Sequence, residues 1–317
     1  MVAANSASQS GSHSRHQARR GLAIFLAAVV LITGVFDVLM IVTLNPLWIA
    51  PRMFAPAAAS VVARLVLREG FADVSFRLGG RPTWRYIGLA LVFPIMIALV
   101  AYGTAWVTGL AQFDPRPSAG VGAQLASDVA SSPLLVFVVM LALSMFLWMI
   151  PQTIFAAGEE IGWRGYMLTR LIDAGVPRPI LVSGVIWGLW HMPIVFNPGN
   201  VSSLGPALSA VALMGTVVLS GYVYARMRLE TGSVWPAIVL HGAWNSVFQT
   251  AFVPATTGAG AAWWVGESGV LTLVALAVAA IVFSRGHWTI IRALPKREKA
   301  PTQSVHQEGV EIQSSAQ

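Results

Sequence analysis

Eight stretches of about twenty mostly apolar residues recur along this 317-residue chain, over 21–44, 47–67, 85–111, 133–157, 179–197, 206–225, 233–252 and 267–284. Each is near the roughly 20 residues that a helix needs to cross about 30 Å of hydrocarbon. The spacing predicts an all-α polytopic membrane helix bundle of about eight transmembrane helices. The second stretch is the most broken, being interrupted by Pro51, Arg52, Pro56 and Arg64. Hydrophobic residues make up 56% of the chain and charged residues 10%, with mean hydropathy +0.69. A soluble domain carries roughly 25% charge, so a soluble fold of this size is excluded.

Basic residues set the orientation. With the N-terminus cytoplasmic, all but two of the 20 Lys and Arg fall in inner segments, only Arg52 and Arg116 lying outside. This is the positive-inside pattern, and it places the C-terminus in the cytoplasm as well. Removing one span would invert every later loop and destroy the asymmetry. The same distribution explains the net charge of +7 through loops beside anionic lipid, with no nucleic-acid partner required.

Composition divides the chain into a polar N-terminal tail over 1–20, N-terminal spans and loops over 21–132, a core over 133–255, a last span within 256–294 and a polar tail over 295–317. Both tails are expected to be disordered. No internal repeat of the kind that builds inverted-repeat transporters is evident. The absence of cysteine removes disulfides, thiolate zinc sites and cysteine nucleophiles. There is no H-E-x-x-H, no G-x-S-x-G and no Gly-x-Gly-Asp, so any chemistry must come from Glu, His, Asn and backbone groups.

Those residues are few. Of six histidines, only His191 and His241 lie within apolar stretches. The adjacent pair Glu159 and Glu160 closes the fourth stretch in a chain with only 13 acidic residues. An ionised group at mid-bilayer costs about 3 kcal/mol on insertion scales, so such residues usually have a function and a partner. Three pairs stand at i, i+4, the spacing that puts side chains on one helix face: Glu160 with Arg164, Trp187 with His191, and His241 with Asn245. Glu160 is therefore expected to be charge-paired within its helix, while Glu159 points about 100° away and stays free. If the three segments converge, a water between Glu159 and His191 can be deprotonated as it attacks an amide carbon, and His241 with Asn245 can bind the oxyanion.

The order Glu159-Glu160-x-x-x-Arg164-Gly165, Trp187-x-x-x-His191 and His241-x-x-x-Asn245 resembles the three-motif signature of the CAAX prenyl protease and bacteriocin-processing (CPBP) family over roughly residues 130–255. The resemblance implies an intramembrane glutamic endopeptidase. In it Glu159 and His191 would activate water, Glu160 and Arg164 would support the site, and His241 and Asn245 would form the oxyanion hole. Trp187 stands where the family usually has phenylalanine and Trp163 where phenylalanine is common, so both are assigned to the wall of the substrate pocket. The implied partners are a membrane protein or peptide substrate and the lipid bilayer, and the implied location is a bacterial cell membrane, with the catalytic cavity open to the cytoplasmic side.

Other readings of the same residues stay open. Glu159, His191 and His241 form a His₂Glu set of the kind zinc enzymes use, although a metal-free reaction, with no cofactor, gives His241 and Asn245 a defined role. A non-catalytic membrane scaffold or a proton-coupled carrier belongs to a different class. Substrate identity and oligomeric state are not encoded in a readable way. Two structural expectations follow. Glu159 at the inner end of a straight fourth span would be out of register with the histidines, so a bend is expected near Met149 to Pro151. Asp37 in the first span reads as an unpaired intramembrane acid, expected to make a helix-packing hydrogen bond rather than to serve as a proton relay.

Overall fold

The structure is a computed structural model, describing the backbone of residues 2–116, 132–197 and 204–285, with side chains from residue 14 onward. The expected tail over 295–317 lies outside the described residues. Among them the chain is helical apart from one short antiparallel pairing. Helix α1 covers Val2–Thr43. A 3₁₀ turn at Pro46–Trp48 leads into α2 (Ile49–Met53) and α3 (Ala55–Leu67), followed by α4 (Gly80–Thr108) and β1 (Gln112–Phe113). Then come α5 (Pro133–Leu143), α6 (Met149–Gly162) and α7 (Leu168–Asp173). The remaining elements are α8 (Pro179–Val195), α9 (Pro206–Thr231), α10 (Trp235–Val247), β2 (Thr256–Thr257), α11 (Ala261–Trp264) and α12 (Val270–Ser284). The two strands pair Gln112 with Thr257 and Phe113 with Thr256.

Helical segments occupy all eight apolar stretches, and five are long and apolar enough to cross a membrane: Ser14–Thr43, Pro46–Leu67, Gly80–Thr108, Pro133–Asp173 and Pro206–Thr231. Proline opens several of them, at Pro133, Pro179 and Pro206, where its missing N–H is one of the donors a helix start leaves unpaired anyway. Gly109 and Gly232 close α4 and α9 in the left-handed conformation, at φ 76° and 64°. The chain is thus an integral, multi-pass, all-α membrane protein with its lipid-facing surface covered by residues such as Val30, Leu65, Val107 and Val278.

Helix α10 is the hub. Nearly every residue from Pro236 to Val247 is buried, and the helix packs against α4, α6 and α9. Close approach to α6 depends on Gly242. A Cβ there would stand 2.7 Å from the Thr153 Cα and 2.9 Å from its backbone nitrogen, so no other residue lets these two helices touch. On the opposite side, a Cβ at Gly158 would meet the Met53 carbonyl at 2.8 Å, which brings α2 and α3 against α6. The carboxylate pair is therefore clamped between two helix contacts made by glycine.

Three local features bear on the expectations from sequence. Helix α1 includes the C-terminal end of the segment 1–20, where Ala18 is buried in the core and Gln17 donates to Glu69 at 3.4 Å, so that end packs on the bundle. The irregularity in the fourth segment falls at Ser144–Trp148, just before the predicted bend, as a π-helical turn. There the Met149 N–H bonds to Ser144 C=O five residues back. Pro151 cannot donate, so a backbone register shift ahead of it leaves fewer carbonyls unmatched; Ser246 Oγ donates to the Ser144 carbonyl at 2.6 Å. Finally, Asp37 makes the expected helix-packing hydrogen bond, as an ion pair: Arg52 Nε donates to Asp37 Oδ1 at 2.6 Å and Arg52 Nη2 to Trp190 C=O at 2.6 Å.

The register difficulty disappears for a different reason from the one anticipated. The fourth segment continues as helix through a second π-helical turn, Trp163–Met167, to Asp173. Glu159 then lies 14 residues before the end of that helical segment rather than at its tip. There it meets Trp187 at 2.9 Å, and Glu160 beside it meets His241 at 2.9 Å.

Candidate active site

The three sequence pairs meet around α10. Glu159 and Glu160 sit on the last turn of α6, Arg164 on the π-helical turn that follows, Trp187 and His191 on α8, and His241 and Asn245 on α10. All are buried except His191, which is partly exposed. The two carboxylates differ as their angular separation requires. Arg164 Nη1 donates to Glu160 Oε1 at 2.8 Å, whereas Glu159 has no cationic partner among the described residues. Instead the Trp187 indole Nε1 donates to Glu159 Oε2 at 2.9 Å.

Both histidines are oriented by hydrogen bonds at Nδ1. In His191 that nitrogen lies 2.8 Å from the Trp187 carbonyl. A carbonyl only accepts, so Nδ1 carries the proton and Nε2 is the free nitrogen. In His241, Nδ1 lies 2.9 Å from Glu160 Oε1, with the same consequence. Glu160 thus receives both Arg164 and His241 on one oxygen, while Oε2 has no partner. The Asn245 carboxamide makes no hydrogen bond among the described residues, which leaves it available on the His241 face.

Aromatic rings enclose the ions. The Arg164 guanidinium lies over the Trp187 ring at 4.0 Å and over Tyr224 at 4.5 Å, an arrangement in which the ring faces attract the cation. Trp187 also meets His191 and His241 edge-on, with ring centroids 5.7 and 5.6 Å away. Trp187 is therefore less a pocket wall than the connection linking Glu159, Arg164 and both imidazoles. Trp163, the other residue assigned to the pocket wall, is fully buried and packs edge-on against Phe25 and Trp190 at 5.8 and 5.7 Å. It belongs to the packing behind the site, because the π-helical turn that begins at Trp163 turns its side chain toward α1.

Sequence reading missed Tyr224 and the Glu160–His241 bond, which join positions separated by 81 residues in the second case and carry no local pattern. Glu267 was also missed: its carboxylate lies beside Gln249 and Trp244. As for metals, no three His, Asp or Glu side chains gather into a metal-holding group among the described residues. Glu159 and His241 each direct an atom to another protein group, Trp187 and Glu160 respectively. Glu159 Oε1 and the Nε2 atoms of His191 and His241 make no hydrogen bond among the described residues, and a ligating histidine commonly donates its other N–H to a carboxylate or carbonyl, so these contacts do not occupy the donors of a His₂Glu set.

No curated protein matches the chain. Residues 139–247, which take in both carboxylates, Arg164, both histidines and Asn245, match the family model described as Rce1-like, type II CAAX prenyl endopeptidase Rce1-like. Three motifs in order on converging helices of a multi-pass bundle agree with this match, so residues 139–247 are similar to the type II CAAX prenyl endopeptidase family.

Proposed function

We propose that this protein is an intramembrane endopeptidase that hydrolyses a peptide bond with a water activated by Glu159 and His191. The observation that carries the reading is the pair of hydrogen bonds at Trp187. Its indole N–H holds one oxygen of an otherwise unpaired Glu159, and its carbonyl fixes His191 with Nε2 free. A water between Glu159 Oε1 and His191 Nε2 loses a proton to this pair as its oxygen attacks the carbonyl carbon. The oxyanion then accepts from the Asn245 carboxamide and from His241 Nε2, the latter when its ring carries a second proton whose charge Glu160 balances. Collapse of the tetrahedral species returns the proton to the departing amine.

In this reading eight helices span the membrane, both termini are cytoplasmic and the catalytic cavity opens toward the cytoplasmic side of a bacterial cell membrane. The substrate is a membrane protein or membrane-associated peptide, and the reaction uses no metal. The test uses full-length protein in lipid nanodiscs with a fluorogenic peptide library. Glu159→Ala and His191→Ala should each abolish cleavage while the variants stay folded by thermal melting. Cleavage retained in either variant refutes the assignment, and loss of activity on chelation that zinc restores refutes the metal-free form.

A further inference from the structure

Every described carboxylate except two is ion-paired with an arginine: Asp37, Glu69, Asp73, Asp114, Glu160, Asp173 and Glu230 all have one within salt-bridge distance. The exceptions are Glu159, the proposed base, and Glu267. Glu267 stands just before α12, where Thr216 Oγ1 donates to its backbone carbonyl at 2.5 Å and fixes the loop against α9. Its carboxylate lies beside Gln249 and Trp244, both uncharged. It has no arginine or lysine partner among the described residues.

The residues between Glu267 and the catalytic centre are polar in a repeating way. On α10 and its π-helical continuation, His241, Asn245 and Gln249 follow at four-residue intervals, which keeps them on one face. On α6, Gln152 and Glu159 are seven residues apart and share a face. The two rows meet where Gln152 Nε2 donates to Gln249 Oε1 at 3.4 Å, with Gln249 exposed and Gln152 partly so. Exposed carboxamides on apolar helices are unfavourable against lipid. They suit a groove that receives another backbone, because each offers both a donor and an acceptor, and a peptide unwound for cleavage within the bilayer must have its own N–H and C=O groups satisfied.

We propose that Gln152, Gln249 and Glu267 form a substrate-binding track that leads away from the Glu159/His191 centre, and that it takes an extended peptide whose single cationic side chain pairs with Glu267. This rests on the proteolytic reading for the place of bond cleavage, but the binding preference is independent of turnover. The test measures binding to full-length Glu159→Ala protein in nanodiscs, using fluorescent apolar 12-residue peptides that carry one Lys or, as control, one norleucine, the position being walked along the peptide. At one position Lys should bind about ten-fold or more tightly than norleucine, the effect of a close ion pair between partly desolvated groups. Glu267→Gln should erase that difference, and Glu267→Lys should transfer it to a peptide with Glu at that position. Equal binding of Lys and norleucine peptides at every position overturns the track, as does a preference unchanged in Glu267→Gln. If wild-type protein cleaves no peptide yet shows the Glu267-dependent preference, the proteolytic reading fails and the track stands; cleavage with no such preference has the opposite meaning.

Discussion

Breaking the Glu160–Arg164 pair tests whether the centre of the site is an ion network in a dry interior or a solvated pair at a membrane edge. The two side chains are 0% and 2% exposed and lie 2.8 Å apart, with the guanidinium held between two aromatic faces. An exposed i, i+4 pair contributes about 0.3–0.5 kcal/mol. Removing one member of a buried pair costs about 3–5 kcal/mol, because the remaining charge is left uncompensated. Arg164→Met should therefore lower stability by about 3–5 kcal/mol. Glu160→Gln should cost a similar amount by stranding the guanidinium, and also loses the charge that holds His241. The double variant, with both charges gone, should cost well below the sum of the singles, leaving a coupling of at least about 2 kcal/mol. Reversible unfolding of the four proteins in mixed micelles gives the cycle directly. Single-variant costs under 1 kcal/mol, or strict additivity, would refute a desolvated network.

Three further outcomes are expected. Trp187→Phe keeps an aromatic ring over Arg164 but removes the donor to Glu159, a charge-assisted bond contributing about 1.5–3 kcal/mol, so kcat should fall about ten-fold or more with KM changed less than three-fold; full activity would show that the indole N–H has no part in holding the base. Gly242→Ala puts a methyl against the Thr153 backbone and should destabilise by about 1–3 kcal/mol, with no rescue by Thr153→Ala, since the obstacle is main chain; an unchanged melting temperature contradicts the close α6–α10 contact. Arg52→Met strands Asp37 next to the Trp190 carbonyl and should shorten the half-life at elevated temperature, an effect that Asp37→Asn in the same protein should partly reverse; lack of any reversal would show that the pair is not coupled.

Much of the bundle and of the site is readable without coordinates, and the reason is range. Hydropathy over twenty residues marks a helix whatever surrounds it, because lipid leaves the backbone no other way to satisfy its polar groups. The Glu160–Arg164 pair is likewise legible, since one helical turn brings the two together. Partners on different helices are not. Asp37 meets Arg52 15 residues away, across a helix boundary. Glu160 meets His241 across 81 residues. Glu267 has no local pattern at all, standing at the mouth of α12 among turn residues.

The chain alone determined that this is a polytopic helical membrane protein with three ordered motifs on separate helices, because periodicity, apolar length and i, i+4 spacing are properties of single segments. Only the tertiary structure decided what those motifs do to one another: that the fourth segment runs on past Glu159 to Asp173, that Trp187 holds Glu159 and His191 together, and that Glu267 has no arginine or lysine partner among the described residues. These depend on how glycine at 158 and 242 lets helices approach, and on which charge is left without a partner when they have done so. Such contacts are set by packing between helices, which no single segment encodes.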